Sequence, residues 1–453
     1  MKYYDPLYGQ IEFDSIVAEI LDRCWEVRRL KDVGLMNFRS IGMLPLTQCS
    51  RLEHGLGTAY LAQRYAHRHG FDRMRRRTLI ATALLHDINC APFGHSVEWA
   101  LIASGRSESH EAAAVWMTEP RGTAAQAGRP VFLDSKGFEP ADFDLDVELF
   151  RNLHDGRPGF AQLTGDYMDL DNIDNVFRMA RALGFEDAQR ERVIRLTDGL
   201  SMGRDDTCFT VDESVVQDII VWHRLRHEVY REFIYDKEYL SFECQLFEFV
   251  RHLVQRIEDS REIEGLVGFP DDVLLWQYFT TPEFVDIRPL IRRLIACDAY
   301  KCLYVGRVEN ATLCKALPSA AESDRLQEQF LAEALRSGGE LSDGVLLRWL
   351  RSIEPGGAGV PPPLHIHVTT DKRKTARQIR LFVRDSSEVT RPLVLGDDAY
   401  FVVVGLFTET ALDRREMRIV EGWFTRAVNQ WASSEVELMY FGGGEAPQLQ
   451  LPI

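Results

Sequence analysis

The segment 78–101, TLIATALLHDINCAPFGHSVEWAL, joins an apolar helical pattern to four side chains that can do chemistry. His86 and Asp87 directly follow the apolar run, His95 comes nine residues after His86, and Glu98 lies three residues beyond His95. A carboxylate buried beside an imidazole needs a positive partner, because burying the charge alone is costly. A divalent metal is such a partner, and nitrogen and carboxylate ligands together suit Mn, Fe, Ni or Zn.

Two ligands do not hold a metal, so the sequence should supply others. His54 in SRLEHGLG lies where a loop meets a helical pattern, and the glycines after it would leave room for a bulky ligand. Asp171 is the best fourth ligand, in the segment DYMDLDNID, where four aspartates fall within nine residues at the start of a helical pattern. Helix N-caps and dipole partners account for one or two of these aspartates, but not for all four.

In their order along the chain, these motifs resemble those of the HD-domain phosphohydrolases, specifically the deoxynucleoside triphosphate triphosphohydrolase (dNTPase) branch. That branch contains the bacterial dGTPases and the vertebrate antiviral dNTPase with an attached SAM domain. The similarity covers roughly residues 5–308 in the segments DPLYGQIEF, RRLKDVG, SRLEHGLGTAYLA, ALLHDINCAPFGHSVE, SHEAA, MDLDNIDNVFRMARALG and LIACDAYKCLYVGRV. It implies a mainly α-helical HD-domain fold. It also implies a divalent metal held by His54, His86, Asp87 and Asp171, with Mn or Fe favoured over Ni, Zn and Mg.

The resemblance further implies the catalytic groups. His95 with Glu98 matches an H-x-x-E pair of bacterial members, His110 in SHEAA matches another active-site histidine, and Arg51 matches an arginine that reaches substrate phosphate. These residue types suit phosphate-ester hydrolysis, which needs neutralised phosphate oxygens and a proton for the leaving oxygen. A histidine backed by a carboxylate titrates near neutral pH and can move that proton, and an arginine offers a fixed fork for phosphate.

Several positions that contact the nucleotide in this family are changed. Leu35 replaces a glutamine near the sugar 3′-hydroxyl, Asn172 replaces a phosphate-binding lysine, and Asn175 replaces a tyrosine beside the sugar and phosphates. Cys90 replaces a histidine, and we interpret it as a small buried apolar residue. The resemblance therefore predicts intact metal chemistry with altered substrate recognition.

The segment WHRLRHEVY, residues 222–230, matches a family helix of the form R-x-x-x-H-x-x-x-Y. Tyr230 fits this pattern, whereas Arg226 stands in the histidine position and Trp222 in the arginine position. Arg178, Arg181 or Arg226 could replace the lost phosphate contacts. Together with Arg51, the candidate substrate-binding residues are Asn172, Asn175, Arg226 and Tyr230.

Hydrophobic periodicity predicts helices over most of the first 350 residues, at 14–35, 57–70, 75–88, 110–117, 170–184, 213–234, 239–258, 284–298 and 323–337. The stretch EPGGAGVPPP, residues 354–363, cannot continue a helix or a central strand. We therefore expect a helical domain over 1–353, with its core at about 30–310, and a Gly/Pro linker over 354–363. A small C-terminal α/β subdomain should span 364–453, with strands at 364–370, 379–383, 399–407 and 436–441 and a helix at 413–432.

Composition and charge limit the cellular locations and the binding partners that we expect for this protein. The net charge of −16 makes nucleic acid an unlikely ligand, and the eight cysteines form no C-x-x-C pair. The sequence shows no signal peptide and no apolar segment of membrane-spanning length, so we expect a cytoplasmic protein that does not enter a membrane. The resemblance implies a nucleotide substrate, a nucleotide allosteric effector and a homo-oligomer (dimer, tetramer or hexamer).

Three functions remain open on the sequence. The leading hypothesis is metal-dependent hydrolysis of dNTPs to deoxynucleoside and triphosphate, in dNTP-pool control or antiphage defence. The second is a phosphohydrolase acting on a nucleoside monophosphate, a modified nucleotide or a signalling nucleotide, which the changes at Leu35, Asn172 and Asn175 favour. The third is a non-catalytic nucleotide sensor that retains the HD residues.

Overall fold

Thirteen helices make up most of the described part of the chain. The structure is a computed structural model that describes residues 1–88, 90–94, 96–97, 140–154, 168–202, 209–230, 233, 236–257, 266–309, 364–371, 379–385, 390–396, 401–409, 412, 414–432 and 437–441. The helices are α1 (Ser15–Arg23), α2 (Trp25–Arg28), α3 (Leu44–Thr47), α4 (Arg51–Arg68), α5 (Arg73–Leu85), α6 (Val147–His154), α7 (Leu170–Ala182), α8 (Arg190–Asp198), α9 (Val216–Val229), α10 (Lys237–Arg256), α11 (Asp271–Thr280), α12 (Arg288–Ala296) and α13 (Arg414–Ala432).

The strands are short and fall into three sheets. They are β1 (Lys2–Asp5), β2 (Gly9–Glu12), β3 (Leu200–Met202), β4 (Phe209–Asp212), β5 (Lys301–Glu309), β6 (Leu364–Asp371), β7 (Ile379–Arg384), β8 (Thr390–Leu395), β9 (Phe401–Thr408) and β10 (Glu437–Phe441). The mainly helical fold with small sheets in the C-terminal region is thus confirmed. The predicted helices at 110–117 and 323–337 and the linker at 354–363 lie outside the described residues.

Helix α4 is the centre of the helical part and packs against α5 and α7. It begins with a capping box, in which the Ser50 hydroxyl accepts a hydrogen bond from the Glu53 backbone N–H at 3.1 Å. The Glu53 carboxylate accepts one from the Ser50 backbone N–H at 2.9 Å. This reciprocal cap satisfies two N–H groups that a helix start otherwise leaves unpaired, and it fixes where the first turn of α4 lies.

The predicted helix 14–35 is interrupted. Cys24 takes an extended conformation with φ −113° and ψ 105°, so the segment divides into α1, α2 and a 3-10 helix at Arg29–Asp32. The break lets Arg29 turn inward, where its guanidinium donates to the carbonyls of Ile88 and Cys90 at 2.8 Å each. Periodicity alone did not reveal this bend, because both halves keep an apolar face.

The C-terminal strands pair with strands from the first part of the chain. One sheet has the order β10-β5-β9-β6, with antiparallel pairs throughout, and α10 packs against β5, β6 and β9. The other sheet has the order β3-β4-β7-β8, in which β4 and β7 are parallel. Both neighbours of β5 therefore come from beyond residue 364. The predicted division at 354–363 remains a prediction, and these pairings join its two sides.

In the part of the chain that the structure describes, every helix is too short or too polar to cross a membrane.

A chain that ends at residue 353 tests the domain division. It lacks β6–β10, which leaves both edges of β5 and one edge of β4 without hydrogen-bond partners. Because unpaired strand edges associate, we expect this chain to aggregate or to melt well below the full-length protein in a thermal unfolding scan. A soluble truncated chain with the melting temperature of the full-length protein would instead support an independent domain ending before 354.

Candidate metal centre

The four predicted metal ligands converge at the junction of three helices. His54 lies in the first turn of α4, His86 and Asp87 directly follow α5, and Asp171 lies in the first turn of α7. His54 Nε2 is 3.2 Å from His86 Nε2 and 2.7 Å from Asp171 Oδ1. His86 Nε2 is 3.6 Å from Asp171 Oδ1 and 3.7 Å from Asp87 Oδ2. The structure therefore brings all four together.

The hydrogen bonds of the two Nδ1 atoms determine whether the two Nε2 atoms can bind a metal. His86 Nδ1 lies 2.7 Å from the Ala83 carbonyl, and His54 Nδ1 lies 2.8 Å from Asp174 Oδ2. Each acceptor takes the ring N–H in the neutral tautomer, which leaves the two Nε2 lone pairs facing each other. Ligand atoms that share a metal at about 2.1 Å lie roughly 3 Å apart, so the observed spacing fits a divalent ion held between His54, His86 and Asp87.

The charge balance around the imidazoles supports the same conclusion. Four carboxylates and two guanidiniums form one network with the pair of rings. The net charge of this network is two negative charges when the imidazoles are neutral. A divalent cation would neutralise this excess, and carboxylates buried without such a partner are costly. The groups are Asp5, Asp87, Asp171, Asp174, Arg51 and Arg178.

The proton affinities reflect this excess of negative charge. Burial lowers the pKa of His86, but the carboxylates of Asp87 and Asp171 outweigh it and raise that pKa to about 10. Burial raises the pKa of Asp87, but Arg51 and the two imidazoles outweigh burial and lower that pKa to about 2. Asp87 is therefore ionised at neutral pH, and a proton occupies His86 when no other cation does.

Asp174 is a member of the site to which sequence reasoning assigned no role. Its side chain is fully buried and accepts from His54 Nδ1, from the Tyr8 hydroxyl at 2.7 Å and from Arg178 Nε at 2.9 Å. Arg178 also donates to Asp5 at 3.0 Å, which ties the N-terminal hairpin of β1 and β2 to the histidine. Arg178 is thus engaged with two aspartates, and its suggested contact with phosphate remains a prediction.

The glycines after His54 serve helix packing and not ligand access, which corrects the sequence interpretation. A Cβ on Gly57 would collide with the Asp174 carboxylate and the Arg178 guanidinium, and one on Gly55 would lie 3.1 Å from the Leu84 carbonyl. The glycines let α7 and α5 approach α4 closely. This approach brings Asp174 within hydrogen-bonding distance of His54.

Of the four aspartates in DYMDLDNID, three have distinct roles in the described part of the chain. Asp169 caps α7 by accepting from the Asn172 backbone N–H at 2.6 Å, Asp171 faces the two histidines, and Asp174 orients His54. Asp166 lies outside the described residues.

Arg51 contacts a candidate metal ligand. It is 4% exposed, and its guanidinium donates to Asp87 Oδ2 at 2.8 Å and to Asn37 Oδ1 at 3.2 Å. Its predicted contact with substrate phosphate remains a prediction. In this arrangement Arg51 orients Asp87 and keeps it ionised.

The predicted catalytic residues His95, Glu98 and His110 lie outside the described residues. The segment around His95 is described at 90–94 and 96–97. The Phe93 backbone N–H donates to Asp271 Oδ1 at 2.8 Å, and the Ser96 hydroxyl donates to Glu243 Oε1 at 2.9 Å. Two carboxylates from α11 and α10 therefore hold the segment on both sides of His95.

The turn at Phe93 and Gly94 is left-handed, with φ values of 55° and 54°. Such a conformation costs about 1–2 kcal/mol at the non-glycine residue and requires external support. A Cβ at Gly94 would collide with Asn37 and Arg51. Cys90 is buried, as predicted.

The predicted substrate-binding residues lie on α7 and α9, two helices that pack against each other. The Asn172 side-chain amide donates to Asp169 at 2.9 Å. The Asn172 backbone carbonyl accepts from the Trp222 indole at 3.2 Å. Arg226 is buried and lies over the Tyr230 ring, 5.0 Å from its centroid. The half-buried Asn175 has a side-chain oxygen without a hydrogen-bond partner among the described residues. Their contacts with substrate remain predictions, and Leu35 is buried in the hydrophobic core.

Asp174→Asn should weaken metal binding. The amide can present an N–H to His54 Nδ1 and no longer stabilises the ring orientation as a carboxylate does, so we expect affinity to fall by about 10–100-fold. Calorimetric titration with Mn²⁺ measures this change. Asp169→Asn is the matched control, because asparagine also caps helices and the Asp169 carboxylate accepts from the backbone N–H and the side-chain amide of Asn172. Equal affinities in the two variants would remove Asp174 from the metal centre.

Metal affinity should rise with pH through the neutral range. A metal displaces the proton that the raised pKa of His86 retains in the metal-free protein. One proton released per ion gives an increase of about tenfold per pH unit below that pKa. Titration between about pH 6 and pH 8, in buffers of different ionisation enthalpy, measures both the affinity and the proton release. An affinity that does not change over this range would contradict the assignment of His86 as a ligand.

Comparisons with known proteins agree with this geometry. Residues 51–203 match the family model described as HD domain. An uncharacterized protein of Methanocaldococcus jannaschii, MJ1154, is 32% identical over 96 residues, which is 21% of this chain and 20% of that protein's length. The crystal structure of a hypothetical protein from Aquifex aeolicus resembles this chain with a TM-score of 0.59 and 16% identity, over 93% of this chain and 99% of that one. The chain thus contains an HD domain at 51–203, and its His54, His86 and Asp87 group supports a metal-dependent hydrolase.

Proposed function

We propose that the chain hydrolyses deoxynucleoside triphosphates to deoxynucleoside and triphosphate. The observation that carries the proposal is the meeting of two imidazole lone pairs and two carboxylates at one point, beside the buried guanidinium of Arg51. A bound divalent metal supplies Lewis-acid polarisation of a phosphate oxygen. The resemblance of the motifs to the dNTPase branch gives the substrate class.

The side chains around the metal centre have separate tasks in this proposal. Arg51 holds Asp87 in its ionised form, and its guanidinium is the positive charge that a phosphate oxygen bound at the metal centre would meet. Asp174 holds His54 in the tautomer that presents Nε2 to the metal. His95 backed by Glu98 gives the proton to the leaving oxygen, a role that follows from residue type and motif.

A second candidate is hydrolysis of a nucleotide that carries fewer phosphates. Two features favour it. Asn172 bonds to the helix cap Asp169 where the family has a lysine for phosphate, and Arg178 is engaged with Asp5 and Asp174. A triphosphate would therefore meet less positive charge here than in the family.

A substrate panel distinguishes the two candidates. The protein is incubated with the four dNTPs, singly and mixed, and with the corresponding monophosphates, in Mn²⁺ and in Mg²⁺, and the products are resolved by ion-pair chromatography. We expect deoxynucleoside and intact triphosphate from at least one dNTP. Activity only in the mixture would support the predicted nucleotide effector.

Asp87→Ala is the negative control for this panel, because it should lose bound metal and activity together. Asp198→Ala is its matched control, since Asp198 pairs with Arg64 at 2.7 Å away from the metal centre and should leave both intact. Hydrolysis of monophosphates alone would replace the dNTPase proposal by the second candidate. Wild-type activity in Asp87→Ala would overturn the metal mechanism, and a metal-loaded protein inert towards the whole panel would favour the nucleotide sensor.

A further inference from the structure

We infer that Glu243 and His367 position the segment that carries His95, so that strand β6 supports the active site although it lies far from the HD domain in sequence. The inference rests on the proposed function for the role of His95. The contacts that carry it are independent of the substrate. It assigns a function to the C-terminal region, for which the sequence suggested none.

Glu243 is the central residue of this connection. It lies on α10, is 6% exposed, and its Oε1 accepts from the Ser96 hydroxyl and from the Tyr239 hydroxyl, both at 2.9 Å. Its Oε2 lies 2.8 Å from His367 Nε2. Burial raises the pKa of Glu243, but His367, Tyr239 and Ser96 outweigh it and lower that pKa. A charged carboxylate with three donors around it holds each donor in a defined direction.

Ser96 is the point at which this connection reaches the active-site segment. It directly follows His95 in the chain and is 1% exposed. On the other side of His95, the Phe93 backbone N–H is bound to Asp271. Two buried carboxylates, Asp271 and Glu243, therefore bind Phe93 and Ser96, the described residues before and after His95. Loss of the Glu243 contact would free one end of the strained turn at Phe93 and Gly94.

His367 connects Glu243 to the C-terminal sheet. It lies on β6 opposite Gly405 of β9, and its ring packs edge-on against Phe247 of α10, with centroids 5.4 Å apart. Glu243 is 147 positions from Ser96 in the chain and 124 positions from His367. Because a charge buried without its partner costs several kcal/mol, removal of His367 should shift Glu243 or draw in water, and Ser96 would respond.

Strand β6 and helix α10 also contain a second histidine–glutamate pair, His365 and Glu248, which serves as a control. His365 lies two residues before His367 on β6, and its Nδ1 is 3.4 Å from Glu248 of α10. Its ring stacks on Tyr300 with centroids 4.1 Å apart. His365 thus joins β6 to α10. It contacts Glu248, Glu409 and Tyr300, which lie outside the segment 90–97.

Four variants of the full-length chain test the inference: Ser96→Ala, Glu243→Gln, His367→Ala and the control His365→Ala. Amide hydrogen exchange of the peptide covering 90–97, bound Mn²⁺ and melting temperature are measured without substrate. We expect faster exchange in that peptide for the first three variants, with unchanged Mn²⁺ content, and wild-type exchange for His365→Ala. Equal exchange in His367→Ala and His365→Ala, or wild-type exchange in Ser96→Ala, would overturn the inference.

The kinetic measurement then tests the consequence for catalysis. With the substrate found in the panel, or with bis(p-nitrophenyl) phosphate if none is found, kcat should fall about 10- to 100-fold in the first three variants while KM stays unchanged. Ser96→Ala and His367→Ala should be non-additive in kcat, because both act through Glu243. A proportional rise of KM, or additive effects, would contradict a positioning role. If no dNTP is hydrolysed, the proposed function fails, whereas the exchange result still decides the inference.

Discussion

The negative charge buried between α4, α5 and α7 is the constraint on which the rest of this structure depends. Asp87, Asp171 and Asp174 lie around two imidazoles, and the guanidiniums of Arg51 and Arg178 only partly balance them. Carboxylates this close to one another are stable only with compensating cations. The helices can meet in this way because Arg51 of α4 and Arg178 of α7 supply part of the compensating charge, and a divalent ion would complete the balance.

Support for the metal centre comes from parts of the chain that the HD family model does not cover. The model matches residues 51–203, whereas from the N-terminal hairpin Tyr8 bonds to Asp174 and Asp5 bonds to Arg178. Asp271 and Glu243 hold the segment next to His95 from α11 and α10. The ligands belong to the domain, while the rigidity that orients them belongs to the larger fold, as preorganised sites require.

The sequence predicted what local pattern determines and missed what distant contacts determine. Helices α4, α5 and α7 follow from periodicity and capping residues, and the motif resemblance named the four candidate metal ligands that the structure brings together. The role of Asp174 did not follow, because its partner His54 is 120 residues away, and the glycine after His54 was misread for the same reason. Strand β5 was also missed, since its stability comes from β9 and β10 and not from its own pattern. The bend at Cys24 left the apolar periodicity unchanged and therefore gave no signal.

Candidate metal ligands and helix-packing residues also differ in how freely they can be substituted. A candidate ligand such as His86 has to meet two requirements at once, because its Nδ1 bonds to the Ala83 carbonyl while its Nε2 would face the metal. On α7 and α9, by contrast, Asn172 and Trp222 contribute to helix packing, since the Trp222 indole donates to the Asn172 backbone carbonyl. Helix packing therefore accepts an asparagine and a tryptophan at these positions, while the four candidate metal ligands stay together at the junction of α4, α5 and α7.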